Sequence, residues 1–461
     1  MTSTDWRLMV IALAPRVGTF IKGEKMATRR RFAAVAAIGL ALTLAACSST
    51  AGSNPTSTST EKVQLTFWGN TQGQKDQVAL WNESHPNTLV TYVQQGGDSD
   101  LTQAVQNAAK AGNAPDLFQM PRGTSVSFLV EGVTQDISKW FNNDDKAFDK
   151  TAYDFVHIGK VAVGVPYATN PTFNAINAKT FAQFGYSAPK NWDEAIQQAI
   201  EMNKKGVKSF NFPGEDPSYL RDWATQAGAQ WWSSDGNKWK VGFTSSQSLA
   251  AGDLVQKVID NNLDANYTYI EWDALMQFFS SGQLSQFTTS TWQLPVYEQN
   301  FAKSVGDWEL ASYPTWKDGG KLVSPSYFNA YGVSKATKHP QQAVEFARWL
   351  ATNPKSVALL ADTVKGAATF PVVADSSKYI EGLLPSKLLG DTKKDAPAVI
   401  EKAVQTSRSM KDGPDQSAAL EELATWWAKA VSKQVTVRQV LEHMQEWTVS
   451  DLQSKHISVA K

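Results

Sequence analysis

Between Val63 and Phe118 the sequence switches its hydrophobic period from two residues to about 3.6 and back again, and this constrains the fold more than any other feature. Val63-Gln64-Leu65-Thr66-Phe67-Trp68 alternates as a strand does and breaks at Gly69-Asn70. Apolar positions at helical spacing then run through Val78 and Trp81 to a stop at His85-Pro86. A second strand pattern, Thr88 to Gln94, leads through Gly96-Gly97 to Leu101, Ala104, Val105 and Ala108. Those four share one helix face, and Gly112 ends the helix. Asp116-Leu117-Phe118 opens a third strand. Strand, helix, strand, helix, strand predicts a parallel α/β opening.

The same logic continues downstream. Gly159–Asn170 reads as a strand ending in polar residues. Asn191 caps a helix with Glu194 as its capping partner. Ala343, Phe346, Ala347 and Leu350 form an apolar stripe, as do Leu420, Leu423, Ala424 and Trp427. Val437, Val440, Leu441 and Met444 form another behind a Thr436 cap. No internal repeat is present in the sequence.

The N-terminus carries an address. Arg29-Arg30-Arg31 precedes a largely apolar run, Phe32 to Ala46, that is short for a membrane span and has the layout of a secretory signal. It ends in Leu44-Ala45-Ala46-Cys47, which resembles a bacterial lipobox, and Cys47 is the only cysteine in 461 residues. Cys47 is therefore expected to carry a lipid, and the exported body to lack disulfides. Residues 26–46 read as the signal peptide and residues 1–25 as a mis-assigned start. Residues 47–61 read as the lipidated Cys and a Ser/Thr/Gly/Pro tether.

Removing these segments leaves about 400 residues, enough for two lobes. Lys plus Arg balances Asp plus Glu at 44 each, which gives no electrostatic case for nucleic acid. The 17 Trp are unusual. Most are expected in cores, but in an exported protein such a supply of flat rings also suits the C–H faces of sugars.

With those features in hand, the chain resembles the family 1 extracellular solute-binding proteins of ABC sugar importers. The resemblance covers nearly all of 62–450 and rests on ordered landmarks. These are "LTFWGN", "AAKAGNAPDLF", "VAVGVPYATNPTFNAIN", "APKNWDEAIQQA", "FFSSGQLSQFTTSTW", "YFNAYGVSKATKHPQQAVEFARWLATNP" and "WWAKAVSKQVTVRQVLEHM". One departure is local: the family's Gly-Lys-x-Ala-Met is replaced by Gly282-Gln283-Leu284-Ser285-Gln286. The resemblance implies an α/β, two-lobed, periplasmic-binding-protein type II fold with the ligand in the interlobe cleft. Lobe 1 would be 62–168 plus 333–372, and lobe 2 would be 173–327 plus 377–461. Crossings are expected near Ala168–Phe173, Phe328–Val333 and Phe370–Ser376.

Trp68, Asn70 and Arg122 follow strand patterns, at carboxyl ends where open α/β sheets bind ligands. The resemblance adds Tyr167 and Asn170 at the first crossing, Asp216 and Tyr219 in "GEDPSY", and Tyr327 and Asn329 at the second crossing. It also adds Trp292 as a cleft-facing ring and Trp426 as a second stacking candidate. Trp231 and Trp232 are adjacent, so at most one is expected to face the cleft. Asp260, Asn262, Asp264, Asn266 and Glu271 fall at calcium-loop spacing, but Ala265 stands where the sharp turn wants Gly, so no metal is expected. No cofactor is expected either.

The resulting expectation is a monomeric, membrane-tethered receptor, not an enzyme, that delivers a neutral oligosaccharide to ABC permease subunits. The alternatives are an exported glycosidase or lyase, and a binding protein for a non-sugar solute.

Overall fold

The structure is a computed structural model that describes residues 62–121, 123–141, 146–235, 238–317 and 319–460. The signal peptide, Cys47, the tether, residues 1–25 and Arg122 lie outside the described residues. No described helix is long and apolar enough to cross a membrane.

The opening α/β pattern folds as its periodicity predicts. β1 (Val63–Gly69) pairs in parallel with β2 (Thr88–Gln94) and with β3 (Leu117–Met120). The intervening helices are Gln74–Ser84 and Asp98–Ala111; they bury Val78, Trp81, Leu101, Val105 and Ala108. Gly112 ends the second in a left-handed conformation, which its missing Cβ permits at little cost.

The expected single strand over 159–170 is instead two pieces, Val161–Ala162 and β4 (Val165–Pro171). Gly164 separates them. A Cβ there would lie 2.5 Å from Met120 Cε and 2.6 Å from the Tyr331 carbonyl oxygen, so only glycine admits this close approach. β5 (Phe173–Asn177) follows after one residue and pairs with β6 (Gln286–Thr289) and β7 (Trp308–Ala311) in an antiparallel three-stranded sheet. β8 (Ser324–Val333) returns to the first sheet, antiparallel to both β3 and β4, and β9 (Phe370–Pro371) pairs with β4. The short β10 (Ser407–Arg408) runs beside Ser324 and Pro325. The first sheet therefore has seven strands, ordered β9-β4-β8-β3-β1-β2 with β10 alongside β8.

The hydrophobic core is divided. One large cluster takes residues from Val63 to Ala168 and from Phe328 to Val372. A second gathers Trp192 to Leu263, Tyr313 and Met410 to Leu452; a third takes Phe173, Ala175, Leu275 to Leu310 and Ala361 to Ala403. The chain thus leaves the first core between Ala168 and Phe173, and it re-enters at Phe328. It leaves again by Ala361, returning only at Val372. β4, β8 and β9, which carry these passages, are hydrogen-bonded neighbours.

Two capping expectations hold with adjustments. Asn191 Oδ1 accepts the Glu194 N–H at 2.9 Å, but Glu194 Oε2 accepts from Lys190 N rather than from the cap itself. Thr436 and Gln439 form a full reciprocal box. The stripe on the Gln416–Val431 helix is Gln416, Ala419, Leu423, Trp427 and Ala430; Leu420 and Ala424, expected on it, are only half-buried.

Candidate ligand-binding site

Polar side chains collect beyond the carboxyl ends of β1, β2 and β3. Gln119 Oε1 accepts from the Asn70 N–H at 3.3 Å, from Thr71 Oγ1 at 2.9 Å and from Gln74 Nε2 at 2.9 Å. Asn70 Nδ2 donates to Asp98 Oδ1 at 2.9 Å. Trp68 lies half-buried against the first core. Tyr167 is buried, with its ring stacked on Tyr331 at 4.3 Å.

A second group lies on the helix Ser218–Ala227 and its approach. Asp216 Oδ1 accepts from Ser218 N at 3.0 Å and Ser218 Oγ at 2.5 Å, so this candidate carboxylate is engaged in forming the first turn. Glu215 Oε1 likewise accepts from Thr268 Oγ1 at 2.5 Å and Tyr269 N at 2.6 Å. The Tyr219 hydroxyl accepts from Thr288 N at 3.4 Å, and burial pushes its pKa up to about 12. One turn on, Arg221 and Asp222 are both buried. The Arg221 guanidinium carbon sits 5.0 Å from the centre of the Tyr327 ring, and the Tyr327 hydroxyl donates to Asp222.

Between the two groups run β4 and β8. Tyr327 is directly opposite Asn170, and Asn329 opposite Ala168. Asn170, Tyr327 and Asn329 are partly accessible while Ser326, Phe328 and Ala330 are buried, so one edge of this strand pair presents polar groups where the chain leaves the first core. Hydroxyls, amides and rings converging there can bind a polyhydroxylated solute by directional hydrogen bonds and stacking.

The aromatic candidates separate by burial. Trp292 is 41% exposed and packs in none of the four hydrophobic clusters. Trp231 and Trp232 are both core residues. Trp231 stacks on Phe243 at 4.7 Å and donates to Ser248 Oγ at 3.1 Å, while the Trp232 ring lies against Gly413, where a Cβ would come within 2.2 Å. Trp426 is stacked on His443 at 3.8 Å and has Lys429 Nζ 4.1 Å from its ring centre, so protein already occupies its stacking surface.

The calcium-like spacing gives no cage. Asp260 Oδ1 accepts from Gln256, Asp264 forms a backbone bridge with Phe210, and the segment connects the helices Ser246–Asp260 and Trp272–Phe279. Among the described residues no group of three or more His, Cys, Asp or Glu could hold a metal ion.

Asp98, Gln119, Arg221 and Asp222 were not singled out in the sequence. For the last two a signal existed: Leu220-Arg221-Asp222-Trp223 puts two charges inside an apolar helical run, and buried charges require partners.

Burial holds Tyr167, Tyr313 and Tyr331 well above the ordinary tyrosine pKa. Above about pH 10 the unfolded chain sheds protons that the folded chain keeps, so stability, intact below that pH, must fall as pH rises. Each such hydroxyl removes at most about 1.4 kcal/mol per pH unit. Melting between pH 9 and 11.5 should show a steepening loss in step with phenolate absorbance. A flat melting temperature across that range contradicts the buried assignments.

An α/β protein that divides its core and gathers polar and aromatic groups at the division has the make-up of a two-lobed solute receptor. The comparisons define the class: residues 68–355, more than half of the chain, match the bacterial extracellular solute-binding protein family, and the chain belongs to it. Its fold is the type II periplasmic-binding-protein fold. It is similar to the galacto-N-biose-/lacto-N-biose I-binding protein of a Bifidobacterium longum ABC transporter, solved with lacto-N-biose. That match has a TM-score of 0.75 and 22% identity over 87% of this chain and 99% of that one. The sugar-binding protein MalE from Xanthomonas citri gives a TM-score of 0.72 at 13% identity, covering 86% and 98%. A multiple sugar-binding protein of Streptococcus mutans is 20% identical over 207 residues, 42% of this chain; the match spans about half (48%) of that relative's length.

Proposed function

We propose that the protein is an extracytoplasmic receptor that captures a neutral oligosaccharide between two lobes and presents it to an ABC permease. The observation that carries this is the strand pair β4–β8. It sets Asn170, Tyr327 and Asn329 between the Gln119-centred and Arg221/Asp222-centred groups, at the division between cores. The lobes are 62–168 with 333–372 and 173–327 with 377–461. Trp68, Tyr219 and Trp292 supply rings and Arg122 a cationic donor, while Tyr167, buried and stacked on Tyr331, backs the site rather than facing it. The relatives named above bind lacto-N-biose or sugars, which supports the ligand class.

A thermal-shift screen of neutral di- to tetrasaccharides, with product analysis, tests this reading. One or a few sugars should raise the melting temperature in step with the logarithm of their concentration, reaching about 2.7 kcal/mol of stabilisation at 100 times Kd, and be recovered uncleaved. Cleavage, or a response only to non-sugar solutes, overturns it.

The tether reading has its own test. Cys47→Ala should yield folded protein that is released from membranes or retained as precursor. Unchanged membrane association with normal processing refutes the lipid anchor.

A further inference from the structure

The segment Met410–Gln416 belongs to the second core, yet three of its side chains reach the first. Lys411 Nζ lies 3.4 Å from the His157 carbonyl oxygen. Asp412 Oδ2 accepts from Ser125 Oγ at 2.9 Å. Gln416 Cγ lies 3.2 Å from where a Cβ on Gly123 would stand. The segment is itself fixed: the Trp232 ring packs on Gly413, and the Gly413 N–H donates to Gln416 Oε1 at 3.3 Å.

Asp412 is the centre of these contacts. It is buried, and its other oxygen lies 3.6 Å from Arg221 Nη2. Arg221 covers the Tyr327 ring, and Tyr327 donates to Asp222. A polar chain therefore runs from Ser125, which opens the short helix Ser125–Val130 beyond the carboxyl end of β3, through Asp412 and Arg221 to the strand β8 that joins the two cores. Packing does not seal this junction. A cavity of about 50 Å³, lined by Ser125, Phe155, Ile158, Trp232, Trp239 and Lys411 among others, lies beside it. Beside that cavity the hydrogen bonds add to the apolar contact between the cores.

We propose that Asp412 is a clasp between the lobes: its hydrogen bond from Ser125 favours the compact arrangement of the two cores and so sets how readily the receptor opens. The inference rests on the reading that the lobes move, but it requires no sugar. Ser125→Ala removes the donor and leaves the Arg221–Asp412 pair in place. A hydrogen bond to a charged group corresponds to roughly a tenfold to hundredfold change in an equilibrium.

The test uses the full chain with Cys47→Ala, so that spin labels at Lys110→Cys and Lys257→Cys, exposed positions on the two cores, are unique. Distances are read by double electron–electron resonance without added ligand. In Ser125→Ala the ratio of the longer- to the shorter-distance population should rise at least about tenfold over the parent's. Asp412→Asn, which keeps an acceptor but loses the charge, should shift it in the same direction. Distributions that coincide with the parent's, in a Ser125→Ala variant with unchanged circular dichroism, overturn the clasp. Should Asp412→Asn fail to fold, Ser125→Ala alone decides. Because no sugar enters, failure here is distinguishable from failure of the oligosaccharide reading.

Discussion

Trp292→Ala should weaken binding of the sugar identified by the thermal-shift screen by roughly tenfold to several hundredfold, while leaving the melting temperature of the unliganded protein almost unchanged. An indole on a sugar face contributes on the order of 0.5–1.5 kcal/mol beyond simple area burial, and the lost apolar contact adds to it. Each 1.4 kcal/mol is about tenfold in Kd. The structural basis for expecting affinity rather than stability to fall is that Trp292 is 41% exposed and outside every core cluster. Its neighbours Ser290 and Thr291 are buried, so the backbone that carries the ring is held even when the ring is removed. Calorimetric titration and apo melting on the same variant separate the two outcomes. A large fall in apo stability with near-normal affinity removes Trp292 from the site.

Trp427→Ala should do the reverse. This indole is fully buried in the second core, 5.5 Å from the Phe212 ring, and its Nε1 donates to the Pro213 carbonyl at 2.8 Å. Truncation leaves a cavity and a carbonyl without its donor, at a cost of about 3–5 kcal/mol. For a body of about 200 residues that corresponds to a melting temperature roughly 6–20 °C lower. Any sugar that binds should still bind below the new transition, because the ring is in the core rather than at the division between cores. A variant melting within about 2 °C of the parent contradicts the packing described for the Gln416–Val431 helix.

The contrast between these two tryptophans marks what the sequence could and could not disclose. Trp427 stands in an i, i+4 relation to Leu423, and that periodicity alone places it inside. Trp292 has no periodic partners, and it was singled out by resemblance rather than by pattern. The adjacent pair Trp231-Trp232 shows the limit. Adjacency allowed at most one of them at the cleft, and in the fold neither is there, since Trp231 packs on Phe243 and Trp232 on Gly413. Gly413 is nearly two hundred residues away, and no local rule foresees such a contact. The strands of the first sheet were legible up to β3 because each alternates or is bounded by glycine. The insertion of antiparallel β8 between β3 and β4 was not, because strand order is decided by contacts distant in sequence.

The same holds for the candidate site. Asn70, Tyr327 and Asn329 were accessible to strand-end reasoning and resemblance. Gln119 was not, since its three converging donors come from the loop after β1 and the start of the helix Gln74–Ser84, and a glutamine inside "DLFQM" carries no local mark. Asp412 was equally hidden: "KDGPD" reads as a turn, and only the folded chain brings Ser125 and Arg221 to it.

The central claim is that a neutral sugar is held between two lobes that move to enclose it. Small-angle X-ray scattering on the protein, with and without a saturating concentration of the sugar that gives the largest thermal shift, tests it most directly. The account predicts a smaller radius of gyration in the bound protein, because contacts from both lobes favour the closed arrangement over the open one. Superimposable curves at saturation, with binding verified by calorimetry on the same sample, would contradict it and point to a site confined to one body.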